Sequence, residues 1–227
     1  VSFYPAITLA ENNSVVSLAV TDNTDCFGMY AAATSGLYSG LFCPSKGVLV
    51  GKWRNISPSV YFEVKSSADG QYAIALPLST DQAMVTRNYG STWTKVGGTA
   101  YFASTWMSNN GQNILISEEG RMSVSKDYGT TWKVLIDDKS YAPGYYHGIA
   151  ASNDLSVIYA AERDSTILRR SMNSGGSWMR WNSDPSYFKK SSYSNMNIAS
   201  SSTADKAVLI APLEFIPAYV FFNLSSA

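Results

Sequence analysis

The sequence predicts an all-β protein assembled from repeated antiparallel units, and three observations lead there. One pattern recurs three times, as Thr86-Arg87-Asn88-Tyr89-Gly90-Ser91-Thr92-Trp93, Ser125-Lys126-Asp127-Tyr128-Gly129-Thr130-Thr131-Trp132 and Ser171-Met172-Asn173-Ser174-Gly175-Gly176-Ser177-Trp178. Its tryptophans fall 39 and 46 residues apart (93 to 132, 132 to 178), a period that signals stacked supersecondary units. The 227 residues are 45% hydrophobic and 13% aromatic but only 15% charged, with 15 Tyr and 6 Trp, a composition that suits strands and excludes a disordered chain. Short β-rich runs alternate with polar turns, and no segment reads convincingly as a helix.

Each copy of the pattern reads as a tight hairpin. The Asp or Asn folds its side chain onto backbone amides nearby. The glycine two positions later takes a positive φ without steric cost. The flanking Ser and Thr satisfy local backbone groups, and the Trp supplies a large apolar plate to bury between neighbouring sheets. Asn88, Gly90, Trp93, Asp127, Gly129, Trp132, Asn173, Gly175 and Trp178 therefore read as structural residues.

Aligning the chain on its tryptophans sets out the units in order. The first, residues 12–56, is degenerate: Ser17–Val20, Gly28–Ala33 and Leu37–Phe42 fit three strands and Val48–Trp53 the fourth. Trp53 lies 40 residues before Trp93, on register, but the hairpin before it has lost the pattern. The next three units, residues 57–98, 99–138 and 143–184, each hold an inner strand, a polar turn, a β-rich strand (Tyr72–Leu76, Asn113–Ser117, Val157–Ala161) and a strand entering the patterned turn. The last unit, residues 193–227, contains Asn197–Ser201, Ala207–Ala211 and Ala218–Asn223 and stops one strand short. Ser2–Leu9 is a strand-like segment that belongs to no other unit.

The recurring Ser/Thr-x-Asp-x-Gly-x-Thr/Ser-Trp motif resembles the Asp-box, or BNR repeat, of sialidases, sortilin-type receptors and many secreted propellers. Only Asp127 keeps the acid; positions 88 and 173 are Asn, which forms the same turn. The resemblance implies four-stranded propeller blades with the box between the third and fourth strands. The expected architecture is a five-bladed β-propeller of four-stranded antiparallel sheets, one domain over residues 1–227, with residues 1–9 completing the last blade so that no sheet edge stays open.

Charge and cysteines narrow the function classes. Lys plus Arg equals Asp plus Glu, 17 each, which argues against nucleic acid or an anionic membrane surface as partner. No apolar run reaches membrane-spanning length. A hairpin centred between Thr34 and Ser35 would set Cys26 opposite Cys43, giving a cross-strand disulfide, with two buried thiols as the alternative. Sequons stand at Asn12, Asn55 and Asn223. With the cysteines and the low charge, they suggest an extracellular, secreted glycoprotein.

Catalytic readings fare poorly. The sialidase resemblance implies an arginine triad and an Arg-Ile-Pro motif in the first blade, whereas the nearest match is Phe215-Ile216-Pro217. The lone histidine, His147, has no nucleophile at a recognisable spacing, and no His/Cys cluster has metal-ligand spacing. Adjacent acids such as Glu118-Glu119 point to opposite faces of a strand and make no ready dyad. No metal, cofactor or catalytic residue is therefore expected. For binding, aromatic residues at the inner strands are the contact candidates: Tyr61, Tyr145, Tyr146 and Tyr193, with His147 and with Trp106, which has no counterpart in the other units. Inter-blade packing is the competing role for these rings. The reading that follows is a non-enzymatic module for protein partners or self-assembly in an extracellular assembly or filament; a lectin-like glycan-binding propeller and an unrecognised glycosidase are the alternatives.

Overall fold

The computed structural model describes residues 15–20, 27–43, 48–49, 53–118, 120–137, 146–162, 167–182, 197–204, 206–212 and 217–223. These contain twenty β-strands and no helix. Contacts divide the chain into two compact units, Val1–Thr99 and Ala100–Ala227.

The first unit holds two antiparallel sheets. One comprises β1 (Val15–Val20), β2 (Phe27–Ala33), β3 (Gly36–Cys43), β4 (Val48–Leu49) and β5 (Arg54–Ser57), in the order β1-β2-β3-β4 with β5 also paired to β3. The other is β6 (Tyr61–Ser66), β7 (Ala73–Pro77), β8 (Ala83–Thr86) and β9 (Thr94–Val96), paired in sequence order. The second unit holds three sheets. The third sheet is β10 (Phe102–Met107), β11 (Ile114–Glu118), β12 (Arg121–Ser125) and β13 (Lys133–Asp137), and the fourth is β14 (Tyr146–Ala151), β15 (Ile158–Glu162), β16 (Ile167–Ser171) and β17 (Met179–Asn182). The fifth is three-stranded, β18 (Asn197–Ser200), β19 (Lys206–Pro212) and β20 (Pro217–Asn223).

Most expected strands stand where the sequence puts them, and the fourth strand of the first sheet is a correction. Instead of one strand over Val48–Trp53, two short pieces lie along β3, with β4 on Phe42 and Cys43 and β5 on Leu37–Ser39. The true counterpart of β9, β13 and β17 is β5, which begins directly after Trp53 as those strands follow Trp93, Trp132 and Trp178. Trp53 rests on Gly40, where an added Cβ would sit 3.1 Å from the indole. The β2–β3 hairpin turns at Thr34 and Ser35, with Ala33 opposite Gly36. Cys26 lies outside the described residues, and with it the expected pairing to Cys43. Residues 1–9, which carry the expected closure, also lie outside them.

The second strands of the second, third and fourth sheets read as nearly continuous apolar runs because both of their faces are covered. Ala73–Pro77 is buried throughout, and Ile114–Ser117 and Ile158–Ala161 are buried likewise. Alanines at 31–33, 73, 75, 160 and 161, all fully buried, let backbones of adjacent elements approach closely. In the first unit Tyr30, Ala32, Leu37, Tyr61, Val64, Ala73 and Ala75 form one core, with Ile56, Met84 and Trp93 packed against it. In the second unit Trp106, Leu135 and Trp178 pack against a core that includes Leu115, Met122, Tyr146, Ile149 and Ile158.

Two kinds of bulge repeat with the sheets. The first strand carries one extra residue at Val16, Phe62, Ala103 and His147, where the register with the second strand shifts. The outer strand carries one at Ile56 and at Leu135. A bulge re-aims side chains without ending the ladder, and Ile56 and Leu135 are the residues thereby turned onto the cores.

The repeat tryptophans act through their rings. Trp93 meets Tyr30 edge-on, with ring centroids 5.7 Å apart and planes at 84°, a favourable aromatic geometry. Among the described residues, no acceptor meets the buried indole N–H groups of Trp53, Trp93, Trp132 and Trp178. An unpartnered buried donor costs about 1–3 kcal/mol. Trp93→Ala should therefore lose about 3–5 kcal/mol, whereas Trp93→Phe, which keeps a ring and removes the orphan donor, should lose no more than about 1.5 kcal/mol. Urea melts of the two variants check this; equal losses would contradict it.

Candidate functional site

Two families of turns lie at one end of the sheets, because in an antiparallel meander the first and third hairpins share an end. The Trp-bearing turns join the third and fourth strands. Each has two successive residues at positive φ: Tyr89 and Gly90 (56° and 72°), Tyr128 and Gly129 (60° and 76°), and Ser174 and Gly175 (56° and 84°). The glycine N–H donates to the hydroxyl of Thr86 at 3.0 Å, Ser125 at 2.9 Å or Ser171 at 2.8 Å.

The Asx residue closes the turn in two electrically different ways. Asn88 accepts the Thr92 N–H at 2.9 Å and donates its amide to Thr92 Oγ1 at 2.9 Å. Asn173 does the same with Ser177, at 2.8 and 2.9 Å. Asp127 accepts the Thr131 N–H at 2.8 Å and also accepts from Thr131 Oγ1 at 2.6 Å. The hydroxyl reverses its role from acceptor to donor, and the turn keeps its shape. The Thr131 hydroxyl and N–H hold the Asp127 carboxyl down to about 2.

The second family joins the first and second strands, and its regularity is not apparent from the polar residues alone. Buried Ser67, Ser108 and Ser152 each donate the backbone N–H to the carbonyl of the residue five positions on and accept that residue's N–H on the side-chain hydroxyl. Each also donates its hydroxyl to Asp69, Asn110 or Asp154, at 2.6, 2.7 and 2.7 Å. The residue after the Asx sits at positive φ in Gly70 (75°), Gly111 (74°) and Leu155 (63°), and Ala204 (54°) matches them in the fifth sheet. The Ser152 hydroxyl, with the Ser156 N–H, holds Asp154 down to about 2. The signal available in the sequence was the Ser-x-Asp/Asn spacing at Ser67, Ser108 and Ser152.

The turns are tied to each other and to neighbouring sheets. Tyr89, Tyr128 and Ser174 donate N–H groups to the carbonyls of Gln71, Gln112 and Ser156. Tyr30 reaches from the first sheet to donate to the Gly70 carbonyl at 2.7 Å, and burial pushes its phenol well above the ordinary tyrosine range. Tyr159 makes the same reach from the fourth sheet to Ala204 at 3.3 Å. Asn153 links three sheets: it accepts from the Asn109 N–H and the Asn113 amide, at 2.9 and 2.7 Å, and donates its own N–H to Ser202 at 2.8 Å. Gly90 and Gly175 seat their turns on the preceding sheet. A Cβ at Gly90 would come 2.9 Å from the Tyr30 ring, and one at Gly175 would come 2.9 Å from Leu135.

Beside the first of these seats is a cleft of about 230 Å³ lined by Arg54, Asn55, Ile56, Met84, Ser91 and Trp93. Arg54 donates to the carbonyls of Gly90 and Ser91, while Asn55 is exposed.

The contact candidates from the sequence do not form one site. Tyr61 and Tyr146 are core residues, 1% and 3% exposed. Trp106 is partly buried against the core of the second unit. His147 is the bulge residue of β14 and is partly buried. Arg169 stacks on Tyr146 at 5.9 Å while pairing with Glu162. Tyr145, Tyr193 and Asn12 lie outside the described residues, and Asn223 closes β20. Among the described residues, no group of three or more His, Cys, Asp or Glu is placed to hold a metal ion, and no helix is long and apolar enough to cross a membrane.

No protein-family model matches the chain, and no curated protein matches it in sequence. Solved structures do resemble it. An ancestral GH74 enzyme aligns at 14% identity and TM-score 0.68, covering 93% of this chain and 31% of its own, so that the chain spans about a third of that enzyme. YCF48 from Cyanidioschyzon merolae aligns at 13% identity and TM-score 0.64, over 88% of this chain and 67% of its own; YCF48 bound to D1 peptide is also similar. A nidogen/laminin complex contains a chain at 12% identity and TM-score 0.60, covering 87% of this chain and 74% of its own. At such identities the likeness concerns the fold alone, and that fold is β-propeller-like.

Two tests follow from the turn geometry. Gly90→Ala combines positive φ with a clash on Tyr30, whereas Gly97, at φ 74°, has nothing within 4 Å of an added Cβ. In thermal melts Gly90→Ala should cost about 2–4 kcal/mol and Gly97→Ala about 1 kcal/mol; equal costs would refute the seat. Asp127 has a folded pKa below its ordinary value, so the stability it contributes is present above roughly pH 4. It is lost as pH falls through about 2. Asp127→Asn should fold normally at neutral pH and show a shallower loss of Tm on acidification; an unchanged acid slope would contradict the assignment.

Proposed function

We propose that the chain is an Asp-box-type, five-bladed propeller that works as a secreted, non-enzymatic module for protein contacts or self-assembly. Residues 1–9 would pair with β20 and complete the last blade, and Cys26 and Cys43 would form a cross-strand disulfide. The observation that carries the reading is that the carboxylates of the turns are engaged within their own turns. Asp127 accepts from Ser125, Thr130 and Thr131, and Asp69 and Asp154 accept from serines and backbone amides of their own turns. The hydrogen bonds of Asp127 and Asp154 favour the ionised form, which makes these two carboxylates poor general acids. What the turns leave outward are large apolar side chains at variable positions, Tyr89 at 63% exposed and Met172 at 54%, which suit contact with another protein.

Support also comes from the neighbours in fold, since YCF48 is described bound to a D1 peptide and nidogen in complex with laminin. A working interface should bury more than roughly 1,000 Å². Small-angle scattering over a concentration series should give a mass rising above 24.7 kDa. A strict monomer at every concentration, together with turnover of fluorogenic glycosides, would overturn the reading in favour of an enzyme.

A further inference from the structure

The cleft beside Trp93 is a small, mixed surface with an amide at its mouth. Its volume of about 230 Å³ is below the ~300–1,000 Å³ of sites for drug-sized ligands and suits a single ring. Trp93, Met84 and Ile56 give it an apolar floor, while Arg54, Asn55 and Ser91 give it a polar rim. Asn55 heads the sequon Asn55-Ile56-Ser57, the acceptor pattern for N-linked sugar.

Strand and bulge geometry presents this asparagine outward. Among the described residues β5 pairs only with β3, so its other side is an edge. The bulge at Ile56 lies between the Tyr38–Asn55 and Leu37–Ser57 pairs. It sends Ile56 to the core of the first unit and leaves Asn55 exposed. The Asn55 amide lies beside Gly36, where a Cβ would stand 3.3 Å from Nδ2.

We propose that Asn55 carries an N-linked glycan whose first sugar ring lies in this cleft, its C–H face on Trp93 and its polar groups toward Arg54 and Ser91. Aromatic plates pack well against apolar faces, and the Arg54 fork offers donors beyond those used on Gly90 and Ser91. Attachment transfers an oligosaccharide from a lipid pyrophosphate carrier. The sugar C1 forms a bond to Nδ2 as its bond to the pyrophosphate oxygen breaks; the pyrophosphate leaves with the electron pair, and the amide gives up one proton. The occupant of the cleft is then the protein's own modification, and a free ligand is excluded from it.

This inference rests on the secreted reading for the compartment in which the donor is met. The full chain, expressed behind a secretory leader in cells that N-glycosylate a control protein, is recovered from medium and cells together. Enzymatic deglycosylation in ¹⁸O water followed by peptide mapping should mark Asn55 as labelled aspartate. Asn55→Gln and Ser57→Ala should each lose one glycan mass, and Ser57→Thr should keep it. Hydroxyl-radical oxidation of Trp93 and Met84 should be low in the glycosylated chain and rise after deglycosylation, a measurement that needs no variant to fold. A folded chain with bare Asn55 overturns the proposal, and a modified Asn55 with no change in Trp93 oxidation overturns the cleft placement. Modification at Asn55 in a chain that stays inside the cell sinks the secreted reading instead.

Discussion

The contact on which the described architecture depends is the seating of a tryptophan-bearing turn on the sheet before it. At Gly90 a Cβ would come 2.9 Å from the Tyr30 ring, and at Gly175 it would come 2.9 Å from the end of the Leu135 side chain. Hydrophobic burial brings sheets together without fixing their register. The close backbone approach fixes it, because a shift of one residue would drive a Cβ into the neighbouring side chain. The other repeated features serve that seat. Bulges at Ile56 and Leu135 deliver aliphatic side chains to the cores beside it, buried alanines thin the sheet cores, and Tyr30 and Tyr159 bolt one sheet to the first turn of the next.

The same economy shapes what the surface can do. Serine hydroxyls, Asx side chains and positive-φ amides at the turn end satisfy one another, so the polarity of that end is inward-looking. Under the proposed contact role, turns closed by their own hydrogen bonds would lower the entropic cost of presenting neighbouring side chains to a partner. The residues that vary between copies, Arg87 and Tyr89 against Met172 and Ser174, alter the surface without altering the turn. A single eight-residue stretch thus holds both the positions that fix the turn and the positions that vary on its surface.

Much of the fold was legible because the repeat is carried by residues with strong local meaning. Asn88, Gly90 and Trp93 announce a turn, a positive φ and a plate, and the strands between them follow from β-rich runs. The first sheet was misjudged at Val48–Trp53 because a short apolar run looks like one strand, and nothing in the sequence shows that its partner strand is shared by two pieces. The bulges were invisible, since register shifts depend on pairing across strands and not on local propensity. Contact residues were the least legible. A tyrosine such as Tyr61 or Tyr146 reads alike whether its ring faces a partner or the core, and only the assembled sheets decide. The polar turns between first and second strands were expected, but their shared Ser-Asx pattern was not read, because Leu155 and Ala204 hold the position that Gly70 and Gly111 occupy elsewhere.

The interchange of Asn and Asp within one turn geometry bears on how the molecule withstands time. Side-chain amides of asparagine hydrolyse slowly in proteins that are not renewed, and the product is ordinarily a new charge in the wrong place. Here the hydrolysed form of Asn88 or Asn173 already has a working precedent in Asp127, whose hydroxyl partner simply turns its hydrogen the other way. Hydrolysis at these two positions, where it yields aspartate, would therefore alter charge while sparing the joint.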